Sequence, residues 1–299
     1  MSEKVLARTP AVDSTAKPVP TEQDFQTDTV TIPVKLCNLP PLNSIANQVL
    51  ALSADPDVDL RRLAFVMETD PAFAAEVLYL ANSSLFGFTS RMSVLRHAIA
   101  VLGLDRIKAL AVTVAMRAFL GQGGPLVRQC WRHSAACAVI AEEISPIFDL
   151  SGDQAYTAAL MHDIGRLGLL KSYSREMSPV LAAEYPEIEA VLAAERSALN
   201  VDHGLAGAWL VKNWAYPQSF SDVCQHHHDP LDASDSALLL VIKLACRIAD
   251  SLDYSAVHYP AAGYPELLRQ QPLGLRRDVF PSEDELRTNL KARLAVFEA

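Results

Sequence analysis

The sequence predicts an all-α protein, and three observations support that prediction. Apolar residues recur at positions i, i+3 and i+4 in segments such as LRRLAFVME and RIKALAVTVAMRAFL, which is the period of a helix with one buried face. The alternation of apolar and polar residues that marks a strand is almost absent. Glycine, which weakens helices, is scarce at 12 of 299 residues. Half of the residues are apolar, which is enough for one large core or two modest ones.

Residues that start and stop helices lie between the periodic segments. Asp70 precedes a proline, so a capping carboxylate stands before a residue whose missing N–H costs nothing at the first helical position. Asp59 is a similar start signal before LRRLAF, and Gly103 separates two periodic segments. Near the C-terminus, Ser282 and Glu285 have the spacing of a capping box and predict a last helix over SEDELRTNLKARLAVF.

Composition divides the chain into four parts. Residues 1–35 are rich in Thr, Pro, Asp and Ser, carry little apolar surface and are expected to form a flexible lead-in. Residues 36–125 form a first helical block that ends in the glycine-dense stretch GQGGP. Residues 126–258 form a second helical block with seven of the eight histidines. Residues 259–299 form a C-terminal extension, in which 260–274 is expected to be irregular before the terminal helix.

Charge and cysteine usage exclude several classes of protein. The net charge is −9 without a basic cluster, which disfavours nucleic acid and anionic membranes as partners. No run of 18 or more residues is apolar and uncharged, so we expect no membrane span. The five cysteines are scattered and never spaced C-x-x-C, which argues against a disulfide framework or a zinc ribbon and fits a reducing cytoplasm.

Histidine and aspartate side chains recur on successive predicted helices of the second block. The candidates are His133, His162, Asp163, His203, the run 226–228 and Asp250. Neutral imidazole together with carboxylate suits Fe, Mn, Zn or Ni, as one or two ions. In the adjacent pair His162-Asp163, one side chain can hold one ion while the carboxylate bridges to a second. A two-metal site of this kind generates hydroxide at neutral pH and clamps both oxygens of a phosphoryl transfer.

Each of these residues alone has a simpler explanation. His133 in isolation would be a capping or packing residue, and three consecutive histidines could end a helix in solvent. The four letters HDIG are weak evidence by themselves. All of the candidates in one helical block, in this order, favour a shared metal site, so we expect His133, His162, Asp163 and His203 to converge with the histidine run.

The order of these residues resembles the HD superfamily of metal-dependent phosphohydrolases, and the detail resembles one branch, the HDOD (HD-related output domain) family of bacterial signalling proteins. The similarity covers about residues 36–255 and includes LPPLNSIANQVLALSADPDVDLRRLAFVMETDPAFAAEVLYLANSSLFGF, WRHSAACAVIAEEI, ALMHDIGRLGLL and HHHDP. The first of these segments is the more specific, because catalytic HD enzymes lack it. The resemblance implies a multi-helical HD-like bundle preceded by an N-terminal helical subdomain. It also selects His227 and His228 from the run, because HHDP begins at residue 227.

The sequence departs from the catalytic relatives at three places. The HD-GYP phosphodiesterases of cyclic-di-GMP follow their double histidine with a segment ending in Gly-Tyr-Pro, which is missing here, so we expect little or no cyclic-di-GMP hydrolysis. Cys246 stands where the family places its last aspartate. Asp250, one helical turn later, could take the place of that aspartate as a metal ligand. If Asp250 does not reach the metal, Cys246→Asp is expected to raise metal occupancy. Arg166 stands where many HD phosphodiesterases carry a lysine and could bind phosphate, or it could simply be solvated.

Two functions follow from the resemblance. The first is a signal-transduction output and interaction module that binds a signalling protein partner or a small regulatory nucleotide and keeps a non-catalytic metal corner. The second is a metal-dependent phosphohydrolase acting on a nucleotide or cyclic dinucleotide. The missing Gly-Tyr-Pro segment and the cysteine at position 246 favour the first, whereas the retained HD residues support the second. A nucleic-acid-binding regulator is a third possibility, against which the acidic charge argues.

Overall fold

The chain folds into α-helices that surround the histidine-bearing segments. A computed structural model describes residues 31–52, 58–83, 85, 92–121, 123–270 and 274–298. These described residues contain helices and no strand, apart from one isolated bridge between Glu184 and His258. The all-α prediction is therefore confirmed. The predicted lead-in lies almost wholly outside the described residues, and its last positions enter the first helix.

The helices of the first block lie between residues 34 and 120. They are α1 (Val34–Cys37), α2 (Ser44–Leu52), α3 (Leu60–Glu68), α4 (Pro71–Ala81), α5 (Leu95–Leu102) and α6 (Leu104–Leu120). The predicted starts are confirmed, because the Asp59 carboxylate accepts a hydrogen bond from the first turn of α3 and that of Asp70 accepts two from α4. Gly103 joins α5 to α6 with a φ of 78°, a conformation that glycine adopts at no steric cost.

The second block and the C-terminal extension follow. Their helices are α7 (Pro125–Ile144), α8 (Gly152–Met161), α9 (Ile164–Ser172), α10 (Ser174–Ala182), α11 (Ile188–Leu199), α12 (His203–Asn213), α13 (Gln218–His226), α14 (Ala237–Ser251), α15 (Tyr264–Gln270) and α16 (Glu283–Glu298). The expectation of an irregular 260–274 is wrong in part, because α15 buries Tyr264 and Leu268. The capping box is confirmed: the Glu285 N–H donates to Ser282 Oγ, and the Ser282 N–H donates to Glu285 Oε2.

The division into two helical blocks stays a prediction. The predicted boundary falls between α6 and α7, but the described residues from Ile32 onward form one compact unit. Helix α6 packs against α8, and α1 packs against α9 and α12. None of the described helices is long and apolar enough to cross a membrane.

A close crossing of α9 and α12 brings two histidine-bearing segments together. Gly165 lies against the backbone of α12, where an added Cβ would stand 2.0 Å from the carbonyl oxygen of His203 and 2.4 Å from the amide nitrogen of Gly207. Only a residue without a side chain permits this approach. Helix α7 packs against α8 and α14, so the six helices α7, α8, α9, α12, α13 and α14 surround one buried centre.

Candidate metal centre

Of the five predicted residues around this centre, four lie at helix ends and one lies inside a helix. His133 is in the middle of α7, whereas His162 and Asp163 occupy the break between α8 and α9. His203 is the first residue of α12, and His227 follows the last residue of α13. All five are buried. The C-terminal ends of α8 and α13 and the N-terminal end of α12 meet at this centre, so the side chains at these ends are buried there.

Four imidazoles and one carboxylate form a group that we call the imidazole–carboxylate cluster: His162, Asp163, His203, His227 and His228. The Asp163 Oδ1 atom lies 3.3 Å from His203 Nε2 and 3.6 Å from His227 Nε2. The ring centroids of His162 and His227 are 4.8 Å apart, and those of His203 and His228 are 5.0 Å apart. Candidate ligand atoms of His162, Asp163 and His227 lie within 4.8 Å of one another, as do those of His203, His227 and His228.

Backbone carbonyl groups fix the orientation of three of the rings. Each ring donates its Nδ1–H to a carbonyl oxygen, as in the pairs His133 with Tyr254 at 2.9 Å, His162 with Ala159 at 2.6 Å, and His227 with Cys224 at 2.8 Å. The Nε2 atom of each ring then faces the centre. Metal-binding histidines are held in this way. Burial also lowers the pKa of His227 to about 3, so its ring is neutral at physiological pH.

Several buried polar atoms of the centre make no hydrogen bond within the described structure. They are His162 Nε2 and His228 Nε2, which also have no ion-pair partner there, whereas the carboxylate oxygens of Asp163 have only ion-pair contacts. Burying a polar atom without a partner is costly, and such atoms are rare in native proteins. Neutral imidazole and carboxylate donors facing one another suit a divalent transition metal. The residues present therefore fit a metal ion, which they would hold through nitrogen and oxygen.

Arg166 lies inside the centre, although it was expected near phosphate or solvent. Its side chain is buried, with Nη1 3.0 Å from Asp163 Oδ2 and Nε 3.6 Å from Glu195 Oε1. Its Nη2 group lies 3.0 Å from His203 Nε2, and His203 donates its Nδ1–H to Glu195 Oε2 at 2.6 Å. Burial opposes ionisation of Asp163, but the Arg166 guanidinium holds the pKa of that carboxyl well below its usual value. A fixed positive charge therefore neutralises the carboxylate of the HD pair.

Asp250 lies on the far side of His133 from the other histidines. Its Oδ1 is 3.6 Å from His133 Nδ1, the atom that donates to Tyr254, and its Oδ2 accepts a hydrogen bond from Tyr259. Burial and the neighbouring Cys246 raise the pKa of Asp250 to about 6. The structure thus places Asp250 behind a candidate ligand, where it can orient the ring, and its own role as a ligand stays a prediction.

Two cysteines complete a second group, which we call the thiol cluster: His133, Cys137, His162 and Cys246. The Sγ atoms of Cys137 and Cys246 lie 3.6 Å and 3.7 Å from His133 Nε2. Candidate ligand atoms of all four residues lie within 4.8 Å of one another. Hydrogen bonding from Cys137 lowers the pKa of Cys246 well below its usual value, and burial raises that of Cys137. Although burial alone would lower the pKa of His133, the hydrogen bond and charge of Cys246 raise it to about 9.

Sequence reasoning missed Cys137 and Glu195. Cys137 was detectable, because it follows His133 by four residues and therefore shares its helix face. Glu195 lies in α11 without a motif around it, and only the folded chain brings it to His203. The predicted ligand and phosphate-binding roles of the other residues stay predictions, although the structure brings His133, His162, Asp163, His203, His227, His228 and Arg166 into one buried centre.

A cavity of about 770 Å³ opens beside this centre. Asp250, Tyr254 and Tyr259 form its inner wall, and Arg128 and Arg132 of α7 form part of its rim. The Arg132 guanidinium lies over the Tyr254 ring, 4.7 Å from its centroid. Arginine and aromatic side chains in one concavity suit a planar, anionic ligand.

Comparison with known proteins identifies the family. The sequence profile of the HDOD domain matches residues 39–230, which is more than half of the chain. The chain therefore belongs to the HDOD domain family. An uncharacterized protein of Treponema pallidum (strain Nichols) is 23% identical over 297 residues, covering 94% of this chain and 55% of that protein. This chain thus spans about half the length of that curated relative.

Solved structures share the fold. An HDOD domain protein of unknown function from Geobacter sulfurreducens has a TM-score of 0.66 and 24% identity, covering 87% of this chain and 88% of that one. A provisionally named phosphohydrolase from Shewanella amazonensis SB2B has a TM-score of 0.65 and 20% identity, covering 86% and 91%. A provisionally named signal transduction protein from Marinobacter aquaeolei VT8 has a TM-score of 0.65 and 22% identity, covering 87% and 59%. At these identities the similarity establishes the fold alone.

Proposed function

We propose that the chain is a bacterial signal-transduction output module, cytoplasmic in location, whose HD-type centre holds metal for structure and does not hydrolyse phosphate esters. The observation that carries this proposal is the position of Arg166. A two-metal hydrolase needs a bridging carboxylate with an ion on each side. Here the Arg166 guanidinium contacts the Asp163 carboxylate at 3.0 Å and lies 3.0 Å from the Nε2 atom of His203. A side-chain cation thus stands among the groups that would hold a second ion.

Two histidines and Asp163 can still hold one ion, but one ion held in this way does not hydrolyse a phosphate ester. His162 and His227, whose Nε2 atoms face inward, would bind the metal together with Asp163. In a hydrolase a bound metal lowers the pKa of a water molecule and supplies hydroxide. In this chain Arg166 offsets the negative charge of Asp163, which weakens that carboxylate both as a bridging ligand and as a partner for a nucleophilic water.

The output function requires a partner, and two kinds fit the family: a signalling protein or a small regulatory nucleotide. The cavity beside Asp250 supports the nucleotide, because Arg128 and Arg132 supply positive charge and Tyr254 supplies an aromatic ring. The net charge of −9 supports neither nucleic acid nor an anionic membrane.

Phosphohydrolase activity is the second candidate, and one observation favours it. The same cavity reaches Asp250, which lies 3.6 Å from His133, so a phosphate bound there would lie near the histidines. A nucleotide phosphodiesterase would place its substrate in such a concavity.

Hydrolysis of a generic aryl phosphodiester separates the two candidates. Tag-free protein is reconstituted in turn with Mn²⁺, Fe²⁺, Zn²⁺ and Ni²⁺ and assayed beside the Asp163→Asn variant. The proposal predicts that the wild type and the variant give the same background rate with every metal. Robust wild-type turnover that disappears in Asp163→Asn would establish the phosphohydrolase instead.

A further inference from the structure

We propose that His133, Cys137, His162 and Cys246 form a four-ligand Zn²⁺ site where α7, α8 and α14 meet. Two nitrogen and two sulfur atoms would bind the ion, in place of the nitrogen and oxygen ligands expected from the HD residues. The site deepens the proposed function and rests on it, because His162 offers a single free nitrogen: a zinc ion bound here takes the place of an ion held by His162, Asp163 and His227.

The separations of the two sulfurs from His133 Nε2 match a tetrahedral zinc site. With Zn–S bonds of about 2.3 Å and Zn–N bonds of about 2.05 Å, tetrahedral angles place sulfur and nitrogen about 3.6 Å apart. The measured distances from His133 Nε2 are 3.6 Å to Cys137 Sγ and 3.7 Å to Cys246 Sγ. His133 and Cys137 are four residues apart on α7, so one helix face supplies two ligands at the spacing of a single turn.

Both imidazoles are already oriented as ligands. His133 donates Nδ1–H to Tyr254 and His162 donates Nδ1–H to Ala159, which leaves Nε2 of each ring as the binding atom. His162 is fully buried, and its Nε2 atom has no hydrogen-bond partner within the described structure. One ring nitrogen of His162 lies within 4.8 Å of each of the two sulfurs. A bound ion would satisfy it.

Charge and softness favour zinc over iron or manganese. Two thiolates balance the charge of Zn²⁺, so the filled site is neutral and suits a buried position. Binding requires two thiolates and two neutral imidazoles, so the protons that the four side chains carry beyond this state would leave to solvent. Mixed sulfur and imidazole ligands in tetrahedral geometry are typical of zinc, whereas manganese prefers oxygen. Four protein ligands close the site, as in zinc sites that stabilise a fold.

Cobalt(II) tests the ligand set directly, because thiolate coordination produces a sulfur-to-cobalt charge-transfer band. Tag-free full-length protein is stripped with chelator and titrated with Co²⁺ alone, then with Zn²⁺ as competitor. We expect one Co²⁺ per chain in this site, a charge-transfer band of two-thiolate intensity with the visible bands of a tetrahedral complex, and loss of both on addition of Zn²⁺.

Three variants assign the band to the cysteines. Cys137→Ser is expected to halve its intensity and to weaken Co²⁺ binding at least about tenfold, since loss of an outer-shell partner alone costs about 10–100-fold. Cys246→Asp is also expected to halve the band, whereas an inert Cys246 would predict tighter binding and no change in the band. The matched control is Cys224→Ser, because Cys224 is equally buried but its thiol donates to the Met161 carbonyl. It is expected to leave the band unchanged.

A measurement on the wild type covers the case in which a variant does not fold. Alkylation of native, zinc-loaded protein followed by mass spectrometry is expected to spare Cys137 and Cys246 until chelator is added. Co²⁺ binding without a charge-transfer band, absence of Co²⁺ and Zn²⁺ binding, or a band unchanged in Cys137→Ser would each overturn the proposed site. None of these outcomes bears on phosphodiester turnover, so failure of the zinc site and failure of the proposed function are distinguishable.

Discussion

Arg166 is the residue on which the interpretation of the centre depends. It lies three residues after Asp163, so one turn of α9 carries its side chain back to the carboxylate of the HD pair. It also contacts His203 and Glu195, and no motif identifies Glu195. A buried guanidinium needs paired carboxylates to offset the loss of hydration, and this centre supplies both.

Removing this guanidinium is expected to destabilise the protein strongly. Arg166→Met leaves the buried carboxylates of Asp163 and Glu195 without their cation, and breaking a buried pair in this way typically costs about 3–5 kcal/mol. Chemical unfolding followed by circular dichroism measures the change. Arg166→Lys keeps the charge and is expected to lose less, so equal losses in the two variants would show that the charge is unimportant.

Substitution of Gly165 tests the close crossing of α9 and α12. A Cβ at this position would meet two backbone atoms of α12, at 2.0 Å and 2.4 Å, and backbone cannot yield as a flexible side chain does. We expect Gly165→Ala to lower the free energy of unfolding by about 3 kcal/mol or more. The control is Gly124→Ala, which meets no atom within 4 Å and is expected to cost less than about 1 kcal/mol. Equal stabilities of the two variants would contradict the crossing.

At the scale of the helix, sequence reasoning succeeded wherever the signal was local. Caps at Asp59, Asp70 and Ser282 depend on one or two turns of chain, and all three are confirmed. Helix α15 was missed because Gly and Pro flank it and its seven residues are too few for periodicity to show. Its apolar face is supplied by tertiary packing, which no local pattern reveals.

The packing of the C-terminal helix α16 against the core can be tested by substitution. It packs against α7, and Leu286, Leu290 and Leu294 are buried at four-residue intervals. Leu290→Ala is expected to lower the free energy of unfolding by about 2–5 kcal/mol, because the cavity left in a packed core adds to the lost burial. Lys291→Ala, at the neighbouring exposed position, is expected to change it by less than about 0.5 kcal/mol. If both variants were neutral, α16 would not belong to the core.

At the scale of the whole molecule, the residues of the site were predictable from the sequence, but several contacts between them were not. Order and residue type were enough to select His133, His162, Asp163, His203 and the 227–228 pair, because the family resemblance carried their alignment. The contact of Glu195 with His203 and the approach of Cys246 to His133 join residues far apart in the chain, and only the packing of α7 against α14 creates the latter.

Contacts between the two predicted helical blocks are expected to make them unfold together. Arg106 of α6 pairs with Glu142 of α7 and Asp153 of α8, and the Tyr216 hydroxyl donates to Asn47 across the same divide. We expect a single unfolding transition in which far-ultraviolet circular dichroism and tryptophan fluorescence coincide. Two separated transitions would instead support blocks that fold independently.

The number of metal ions per chain tests the central claim most directly, namely that Arg166 takes the position of a second cation. Tag-free protein is saturated with Zn²⁺ or Mn²⁺, freed of excess metal by gel filtration, and measured by elemental analysis against protein concentration. The contacts of Arg166 with Asp163, Glu195 and His203 predict no more than one tightly bound ion per chain. Two tightly bound ions per chain in the wild-type protein would contradict the account.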